Sequence, residues 1–309
     1  GGELEDQILS NMLDHSPQIR WDDIAGLGLA KQTLQEAVIL PALRPDLFTG
    51  LRAPPKGVLL FGPPGTGKTM LAKAVASESD CTFFCISASA VTSKYMGEGE
   101  KLMKTLFCVA RQRQPSVLFF DEIDALLSAR KEGEHEASRR IKTEFMTQVD
   151  GASTCAGDRL LVMAATNLPW AIDEAALRRL ARRIYVPMPD AQTRAALLQL
   201  LLNKPDDAGL RPGGGGGGGL CGMGAAQLQR LVQQTEGYSG SDLTTLCQEA
   251  ALGPIRELGP EALKTVRVSD VRPLSEQDFL GALRTIRCSV SSKSLAELQA
   301  WAAQFGAAI

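Results

Sequence analysis

Between residues 57 and 187, five short apolar runs alternate with stretches that have the apolar spacing of helices. The runs cover residues 57–61, 82–86, 116–120, 159–165 and 183–187. Nearly every position within a run is apolar, which is typical of strands buried on both faces. Strands that alternate with helices in this way predict an α/β fold, with a parallel sheet covered by helices on both sides.

Helical spacing dominates the two ends of the chain. At the amino end it predicts an amphipathic helix over 3–13 and a second helix over 27–40 that ends at Pro41. After Pro187-Met188-Pro189 the strand pattern disappears. Five helices are predicted in this last part, over residues 191–203, 224–235, 240–251, 275–286 and 294–304.

The loss of the strand pattern near residue 189 predicts a domain boundary. We expect a linker with a helix over 1–20, a large α/β domain over 21–189 and a small helical domain over 190–309. Seven consecutive glycines at 213–219 fall inside the small domain. Because a packed element does not tolerate so much backbone freedom, we expect this run to be a flexible insertion between two helices.

The first apolar run leads into a glycine-rich loop that ends in Lys and Thr. The loop reads Gly62-Pro63-Pro64-Gly65-Thr66-Gly67-Lys68-Thr69, and Met70 continues into a helical stretch. This strand–loop–helix arrangement fits the phosphate-binding loop of NTPases, in which backbone N–H groups and the helix amino end face phosphate oxygens. We expect Lys68 to reach the outer phosphates and the Thr69 hydroxyl to bind Mg²⁺.

Polar residues follow two of the other apolar runs. Asp121 and Glu122 come directly after the run at 116–120, and Asn167 closely follows the run at 159–165. The carboxyl ends of parallel strands open onto the ligand crevice, so these side chains should lie beside the phosphate loop. We expect Asp121 to hold Mg²⁺ through water and Glu122 to polarise the attacking water. Asn167 is either a turn former or a residue that orients this water or contacts the terminal phosphate.

Arg178 and Arg179 lie near the end of a short predicted helix over 173–181. Paired arginines at a helix end are commonly solvated charges that complement the helix dipole. Phosphoryl transfer, however, gains about 10³–10⁵ in rate from an arginine finger supplied in cis or by another chain. Both residues are therefore candidates for a finger that a neighbouring subunit supplies.

Composition narrows the possible partners. The 309 residues are 44% hydrophobic and 22% charged with a formal net charge of −2, so we expect no nucleic-acid partner. The seven cysteines form no C-x-x-C pair and are expected to be reduced thiols, and the two histidines suggest no zinc site.

No apolar run approaches the roughly 20 residues of a membrane helix. The chain begins Gly-Gly without Met, so we expect membrane contact only through regions absent from it.

Together these motifs resemble the AAA+ ATPases, and within them the meiotic clade of spastin, katanin, fidgetin and the ESCRT-disassembling ATPase. The resemblance extends from about Trp21 to Gly306 and includes the segments WDDIAG, GPPGTGKT, FFDEID, AATN and GYSGSDL. Segments 30–36, 43–54, 93–101 and 252–258 point to the spastin branch. Two departures leave the chemistry untouched. The glycine run is longer than the family's connection, and Thr66 stands where family members often have Asn.

The resemblance implies a cofactor set, a lid and a ring. It implies ATP and Mg²⁺, a small helical lid after the α/β domain, and an ATP-dependent homo-hexamer. Arg178 and Arg179 would then act on the neighbouring subunit's nucleotide, and Gly240 and Ser241 would lie near the chain's own nucleotide. The segment Asp23-Ile24-Ala25-Gly26 would line the adenine side.

The resemblance also implies two loops around a central pore. Lys94-Tyr95-Met96 would intercalate with an extended peptide, and six copies of Lys94 would form a basic ring. The second loop would involve the basic residues Arg130, Lys131, His135, Arg139 and Arg140, although the intervening acids complicate this picture and the arginines also suit subunit contacts. Such a pore would grip the acidic C-terminal tails of tubulin and extract tubulin, so the resemblance implies an ATP-dependent microtubule-severing motor. Microtubules are therefore the expected partner and the cytoplasmic cytoskeleton the expected location, with any nuclear or endoplasmic-reticulum address set by missing N-terminal regions.

Two alternatives stay open. A related disassembly motor would act on ESCRT filaments or recombination proteins, and an absence of severing would favour it. A nucleotide-gated scaffold would bind ATP without turning it over. The presence of Lys68, Asp121, Glu122 and Arg178 argues against the scaffold.

Overall fold

The computed structural model describes most of the chain. The described residues are 5, 8–10, 12–14, 19–94, 98–128, 136–154, 158–203, 223–267 and 270–306. In this part the strands are Leu13–Asp14 (β1), Gly57–Phe61 (β2), Thr82–Ser87 (β3), Ser116–Asp121 (β4), Leu160–Thr166 (β5) and Arg182–Tyr185 (β6). They form one sheet in the order β1-β3-β4-β5-β2-β6.

The five predicted strands are confirmed, and they pair in parallel. Strand β4 lies at the centre between β3 and β5, and β2 lies between β5 and β6. All five residues of β2 are buried, as are the first five of β4. Leu118 and Phe120 point into the core on one face and Val117 and Phe119 into the core on the other, which explains the uninterrupted apolar runs.

Helices cover both faces of this sheet and make up the described elements after Asp190. Those before β6 are Gly28–Leu34, Leu40–Leu43, Lys68–Glu78, Ala88–Lys94, Gly99–Gln112, Asp124–Leu127, Glu136–Thr154 and Glu174–Arg179. Those after it are Ala191–Asn203, Ala225–Gln234, Gly240–Ala251, Gly253–Arg256, Gly259–Leu263, Glu276–Thr285 and Ser292–Phe305. Short 3-10 turns occupy Trp21–Asp23, Gly50–Arg52 and Pro169–Ala171. None of the described helices is both long and apolar enough to cross a bilayer.

Two predictions near the amino end were wrong. Leu13 belongs to β1, which adds an antiparallel edge strand to the sheet by pairing with Phe84, instead of closing the predicted helix. Pairing with β3 satisfies backbone groups that a two-residue sequence pattern does not reveal. Pro41 does not end its helix either. The chain widens into a π-helical turn, Gln35–Ile39, and then continues as Leu40–Leu43, which contains Pro41, so the changed hydrogen-bond pattern before the proline accommodates its missing N–H.

The last helix, Ser292–Phe305, packs on the sheet and not in the core of the other late helices. Leu198, Leu243 and Phe279 share a separate core, whereas Trp301 joins the core on one face of the sheet. The Trp301 ring lies edge-on to Phe61, with centroids 4.6 Å apart. Because Phe61 directly precedes the glycine-rich loop, the carboxy-terminal helix supports the strand that carries this loop.

Removing this contact should destabilise the protein. Trp301 is 8% exposed, and we expect Trp301→Ala to cost about 3–5 kcal/mol of unfolding free energy, as other buried Trp truncations do. Trp170→Ala is the matched control, because that ring is 41% exposed. Urea unfolding followed by circular dichroism measures both. Equal losses in the two variants would contradict the packing role of Trp301.

Candidate active site

Glycines set the path of the phosphate loop between β2 and the helix Lys68–Glu78. Gly65 and Gly67 have φ values of 73° and 93°, in the left-handed region that favours glycine. A Cβ atom on Gly65 would lie 2.8 Å from both Ser239 Oγ and Ser241 Cβ, so the loop passes against another helix where only glycine fits. Inside the loop, the Thr66 hydroxyl donates to the Pro63 carbonyl over 2.9 Å. The loop is therefore shaped before any phosphate arrives.

Lys68 folds back onto this loop. Its ammonium group donates to the carbonyls of Gly62 at 3.1 Å and Pro63 at 2.6 Å, and the residue is 8% exposed. Burial lowers the pKa of Lys68 to about 8, and the nearby charge of Asp121 opposes that shift. A phosphate anion would favour the charged form of this buried lysine.

The pH dependence of stability reports this burial. The folded-state pKa of about 8 lies below the ordinary 10.5, so between these values the unfolded chain binds more protons and stability rises with pH. Lys68→Met lacks this rise. The measurement is the difference in melting temperature between nucleotide-free Lys68→Met and the parent. As the pH rises from 7 to 10.5, we expect the parent to gain stability relative to the variant, so the variant's melting temperature minus the parent's should fall. A difference that does not change with pH would contradict the buried ammonium.

Thr69 and Asp121 lie side by side at the carboxyl edge of the sheet. The Thr69 hydroxyl donates to Asp121 Oδ2 over 3.0 Å, and both residues line the same cavity. One hydroxyl and one carboxylate fit Mg²⁺, which keeps several waters and takes phosphate oxygens as further ligands. The described residues contain no group of three or more His, Cys, Asp or Glu able to hold a metal.

Glu122 occupies a conformation that is uncommon for a residue other than glycine. Its φ is 51°, and its N–H donates to Asp121 Oδ1 over 2.9 Å. The Ser89 hydroxyl donates to the Glu122 carboxylate over 3.2 Å. Backbone strain of this kind concentrates at functional sites, and here it turns the exposed carboxylate toward the cavity.

Asn167 follows β5 at the same edge. Its Oδ1 atom is buried and has no hydrogen-bond partner among the described residues, and the residue lines the cavity. The preceding Thr166 is fixed, because its hydroxyl donates to Asp124 over 2.6 Å and accepts the Leu168 N–H at 2.9 Å. An unsatisfied amide oxygen on a rigid strand end is suited to bind a water or substrate group.

These residues meet in a cavity of about 1120 Å³ between the sheet edge and the late helices. Asp23, Ile24 and Ala25 line one side, whereas Gly26 packs against Thr193 and is not part of the lining. The loop contributes Pro64 to Met70, while Gly62 and Pro63 lie behind it as acceptors for Lys68. This volume is large enough for a nucleotide.

The opposite wall comes from the helices Ala191–Asn203 and Gly240–Ala251, and the second of these begins at a defined cap. The Ser239 hydroxyl accepts the Asp242 N–H and the Asp242 carboxylate accepts the Ser239 N–H, which starts the helix Gly240–Ala251 beside the phosphate loop. The Ser241 N–H donates to the Gly65 carbonyl over 3.1 Å. Gly240 and Ser241 line the cavity.

Several lining residues were missed by the sequence analysis. They are Ile19, Leu27, Pro187, Pro189, Thr193, Leu197, Leu200, Leu201, Thr244 and Thr245. One signal was available for the leucines. The helix Ala191–Asn203 has more leucines than one core-facing stripe needs: Leu198 and Leu202 fill the core of the late helices, Leu197 and Leu201 pack at its edge, and Leu197, Leu200 and Leu201 line the cavity.

The two candidate finger residues have different surroundings. The helix predicted over 173–181 is shorter, Glu174–Arg179, and Asp173 caps it by accepting the Ala175 N–H at 2.8 Å. Arg179 is 29% exposed and donates twice to the Asp150 carboxylate, each at 2.7 Å. Arg178 is 80% exposed and has only a 4.0 Å ion pair with Glu174. Neither residue lines the cavity of its own chain, so Arg178 is the one available to another molecule.

Most residues of the two predicted pore loops lie outside the described residues. These are Tyr95, Met96, Arg130, Lys131 and His135. Lys94 is the last residue of the helix Ala88–Lys94. Arg139 and Arg140 are exposed on the helix Glu136–Thr154, where Arg140 pairs with Glu136 at 2.6 Å.

A phosphate loop at the end of β2, acids at the end of β4 and a helical wall over the cavity define an ATPase fold with a lid. A model of the ATPase family associated with various cellular activities (AAA) matches residues 58–188, and a model of the AAA+ lid domain matches residues 225–269. The chain belongs to the AAA ATPase family.

Within this family the chain is closely related to spastin and fidgetin-like protein 1. It is 54% identical to Xenopus laevis spastin over 303 residues, which are 98% of this chain and 48% of that protein. It is 51% identical to Homo sapiens fidgetin-like protein 1 over 299 residues, which are 97% of this chain and 42% of that protein. The chain thus spans about half the length of the curated relatives it matches.

Solved structures share the whole fold. The AAA domain of FIGL-1 in complex with ADP superposes with a TM-score of 0.87 at 47% identity, covering 99% of this chain and 97% of that one. A katanin structure that addresses self-assembly gives a TM-score of 0.75 at 34% identity, covering 97% of this chain and 96% of that one. The parallel sheet with its lid, expected from the sequence, is confirmed by these matches.

Proposed function

We propose that the chain is the ATP-driven motor of a microtubule-severing enzyme, working as a homo-hexameric ring. The observation that carries the proposal is the convergence of Lys68, Thr69, Asp121, Glu122 and Asn167 on one nucleotide-sized cavity. The close relationship to spastin and the structural likeness to katanin support the severing part, since both belong to the meiotic clade named above.

In this proposal the chain's own residues bind and orient the reactants. Lys68 leaves its two backbone carbonyls and binds the outer phosphates of ATP. Thr69 and Asp121 would hold Mg²⁺, which when bound would supply positive charge to the phosphate oxygens. Glu122 accepts a proton from the attacking water, and the free Oδ1 of Asn167 orients that water.

In the hexameric ring, a neighbouring subunit supplies the guanidinium that the nucleotide cavity needs. Arg178 projects into solvent, and no guanidinium lines the cavity within the described residues. A neighbouring subunit that places its Arg178 at this cavity would complete the site. Arg179 would hold the helix Glu174–Arg179, called here the finger helix, in place through Asp150. Hydrolysis would then depend on assembly.

ATP-driven movement of the lid against the sheet would be passed to the pore loops. The helix Ala88–Lys94 ends at the first residue of the first pore loop, and the helix Gly99–Gln112 begins shortly after that loop. Six Lys94-Tyr95-Met96 segments would bind an acidic tubulin tail through basic charge and aromatic contact. Pulling on the tail would extract tubulin from the lattice.

Fluorescent microtubules with ATP, with and without their C-terminal tails, test this function. We expect severing only with tails, and we expect Tyr95→Ala to abolish severing while nucleotide binding stays intact. Tyr95→Phe is the matched control and should sever, because it keeps the aromatic ring. Unchanged severing by Tyr95→Ala would contradict the pore-loop role. ATP turnover without any severing by the parent would instead favour the related disassembly motor.

A further inference from the structure

A second cavity, of about 220 Å³, lies at the edge of the sheet opposite the nucleotide site. Ser116 and Leu160, the first paired residues of β4 and β5, line it. The carboxyl ends of the same strands carry Asp121 and Asn167, which line the nucleotide cavity. The two cavities therefore border opposite ends of the same central strands, and neither the catalytic chemistry nor the proposed pore uses the second one.

The body of this second cavity is apolar and rigid. Five proline rings line it together with Phe48 and Val38, and the prolines are Pro41, Pro45, Pro54, Pro55 and Pro115. Because proline has a fixed φ and no side-chain rotamers to rearrange, such walls keep their shape when the cavity is empty. An engineered apolar cavity of about 150 Å³ binds benzene, so this space suits a phenyl ring with a short chain.

One side of the cavity carries positive charge. Lys56 and Arg159 line it, and Lys56 donates to the backbone carbonyl of Asp158. The Asp158 carboxylate also lies there, but Arg111 at 3.3 Å and Gln114 at 3.0 Å already bind it. Across the described residues, no carboxylate forms an ion pair with Lys56 or Arg159.

Cys81 lines the same cavity. Burial raises the pKa of the Cys81 thiol, and a contact with the Ser79 carbonyl and then the charge of Arg159 act in the opposite direction. Arg159 therefore lies close enough to the Cys81 thiol for its charge to act within the cavity.

We propose that this cavity binds a small apolar carboxylate, with its hydrocarbon part among the proline rings and its carboxylate between Lys56 and Arg159. The ligand class follows from the size of the apolar space and from two cations without a carboxylate partner among the described residues. The site is independent of the proposed severing activity, so either can fail without the other.

Protection of Cys81 from alkylation tests the proposal. The probes are 4-phenylbutyrate, the neutral 4-phenylbutan-1-ol and 4-phenylbutylammonium, each with saturating ADP so that the nucleotide site is filled. N-ethylmaleimide labelling is followed by peptide mass spectrometry, and exposed Cys108 and Cys288 serve as internal controls. We expect phenylbutyrate to slow labelling of Cys81 alone, with an affinity roughly fivefold above that of the alcohol. The ammonium probe should bind most weakly.

Variants separate the charge from the apolar space. Lys56→Gln and Arg159→Gln should each remove most of the advantage of the carboxylate over the alcohol, whereas Arg113→Gln, an equal charge change outside the cavity, should not. Ala42→Leu fills the space and should abolish protection by every probe. The proposal would be overturned by any of three results. These are equal protection of Cys81 by the three probes, no protection at millimolar concentrations, and an unchanged preference for the carboxylate in both charge variants.

Discussion

Glu122→Gln should lower ATP hydrolysis by about 10²–10⁴-fold and leave ATP binding intact, because general-base catalysis contributes that much to proton transfer. The amide keeps the size of the side chain and can still contact Ser89, but it cannot accept a proton from water. Binding is retained because Lys68, Thr69 and Asp121 are untouched. Turnover is measured by phosphate release and binding by fluorescence of a labelled ATP analogue.

The control for this variant is Glu261→Gln, which neutralises an exposed acid paired with Lys264 far from the cavity lining. It should hydrolyse ATP at the parent rate. If Glu122→Gln also kept the parent rate, Glu122 would not be the base. If it lost ATP affinity in proportion to its rate, its role would be in binding.

Arg178→Ala should reduce hydrolysis by the assembled protein by about 10³–10⁵-fold, the range over which arginine fingers act. ATP affinity should stay close to that of the parent, because Arg178 is 80% exposed and does not line its own chain's cavity. Phosphate release at protein concentrations that give assembly measures the loss.

Arg179→Ala has a different expected result, although it is the adjacent residue. Its guanidinium holds the finger helix to Asp150, so its loss should lower thermal stability and impair hydrolysis less than Arg178→Ala. Arg284→Ala, at an exposed position of the helix Glu276–Thr285, is the charge-matched control and should change neither. A larger hydrolytic loss in Arg179→Ala than in Arg178→Ala would reverse the assignment of the finger.

Local patterns predicted the parts of this structure that depend on neighbouring residues in the chain. The strands β2, β4 and β5 are apolar at nearly every position because both faces are buried, and the phosphate loop needs glycine where φ is positive. The rule that carboxyl ends of parallel strands share one edge was enough to bring Asp121 and Asn167 to Lys68.

Features that depend on distant partners were not visible in the sequence. β1 exists because β3 offers an unpaired edge, and the helix through Pro41 continues because a widened turn precedes it. Arg178 and Arg179 are adjacent arginines that the sequence does not distinguish. In the structure, Arg179 forms an ion pair with Asp150, whereas Arg178 does not. The Ser89 contact to Glu122 and the opposite, proline-lined cavity likewise join segments far apart in the chain.

Mixing two inactive variants tests most directly whether adjacent copies share one active site. Arg178→Ala subunits keep an intact nucleotide cavity, and Glu122→Gln subunits keep the finger. A randomly mixed head-to-tail ring would therefore restore about a quarter of the interfaces. We predict that equal amounts of the two variants recover ATP hydrolysis that neither shows alone. Co-purification of differently tagged subunits shows whether mixed rings form. If mixed rings form and remain as inactive as the separate variants, the shared active site is contradicted.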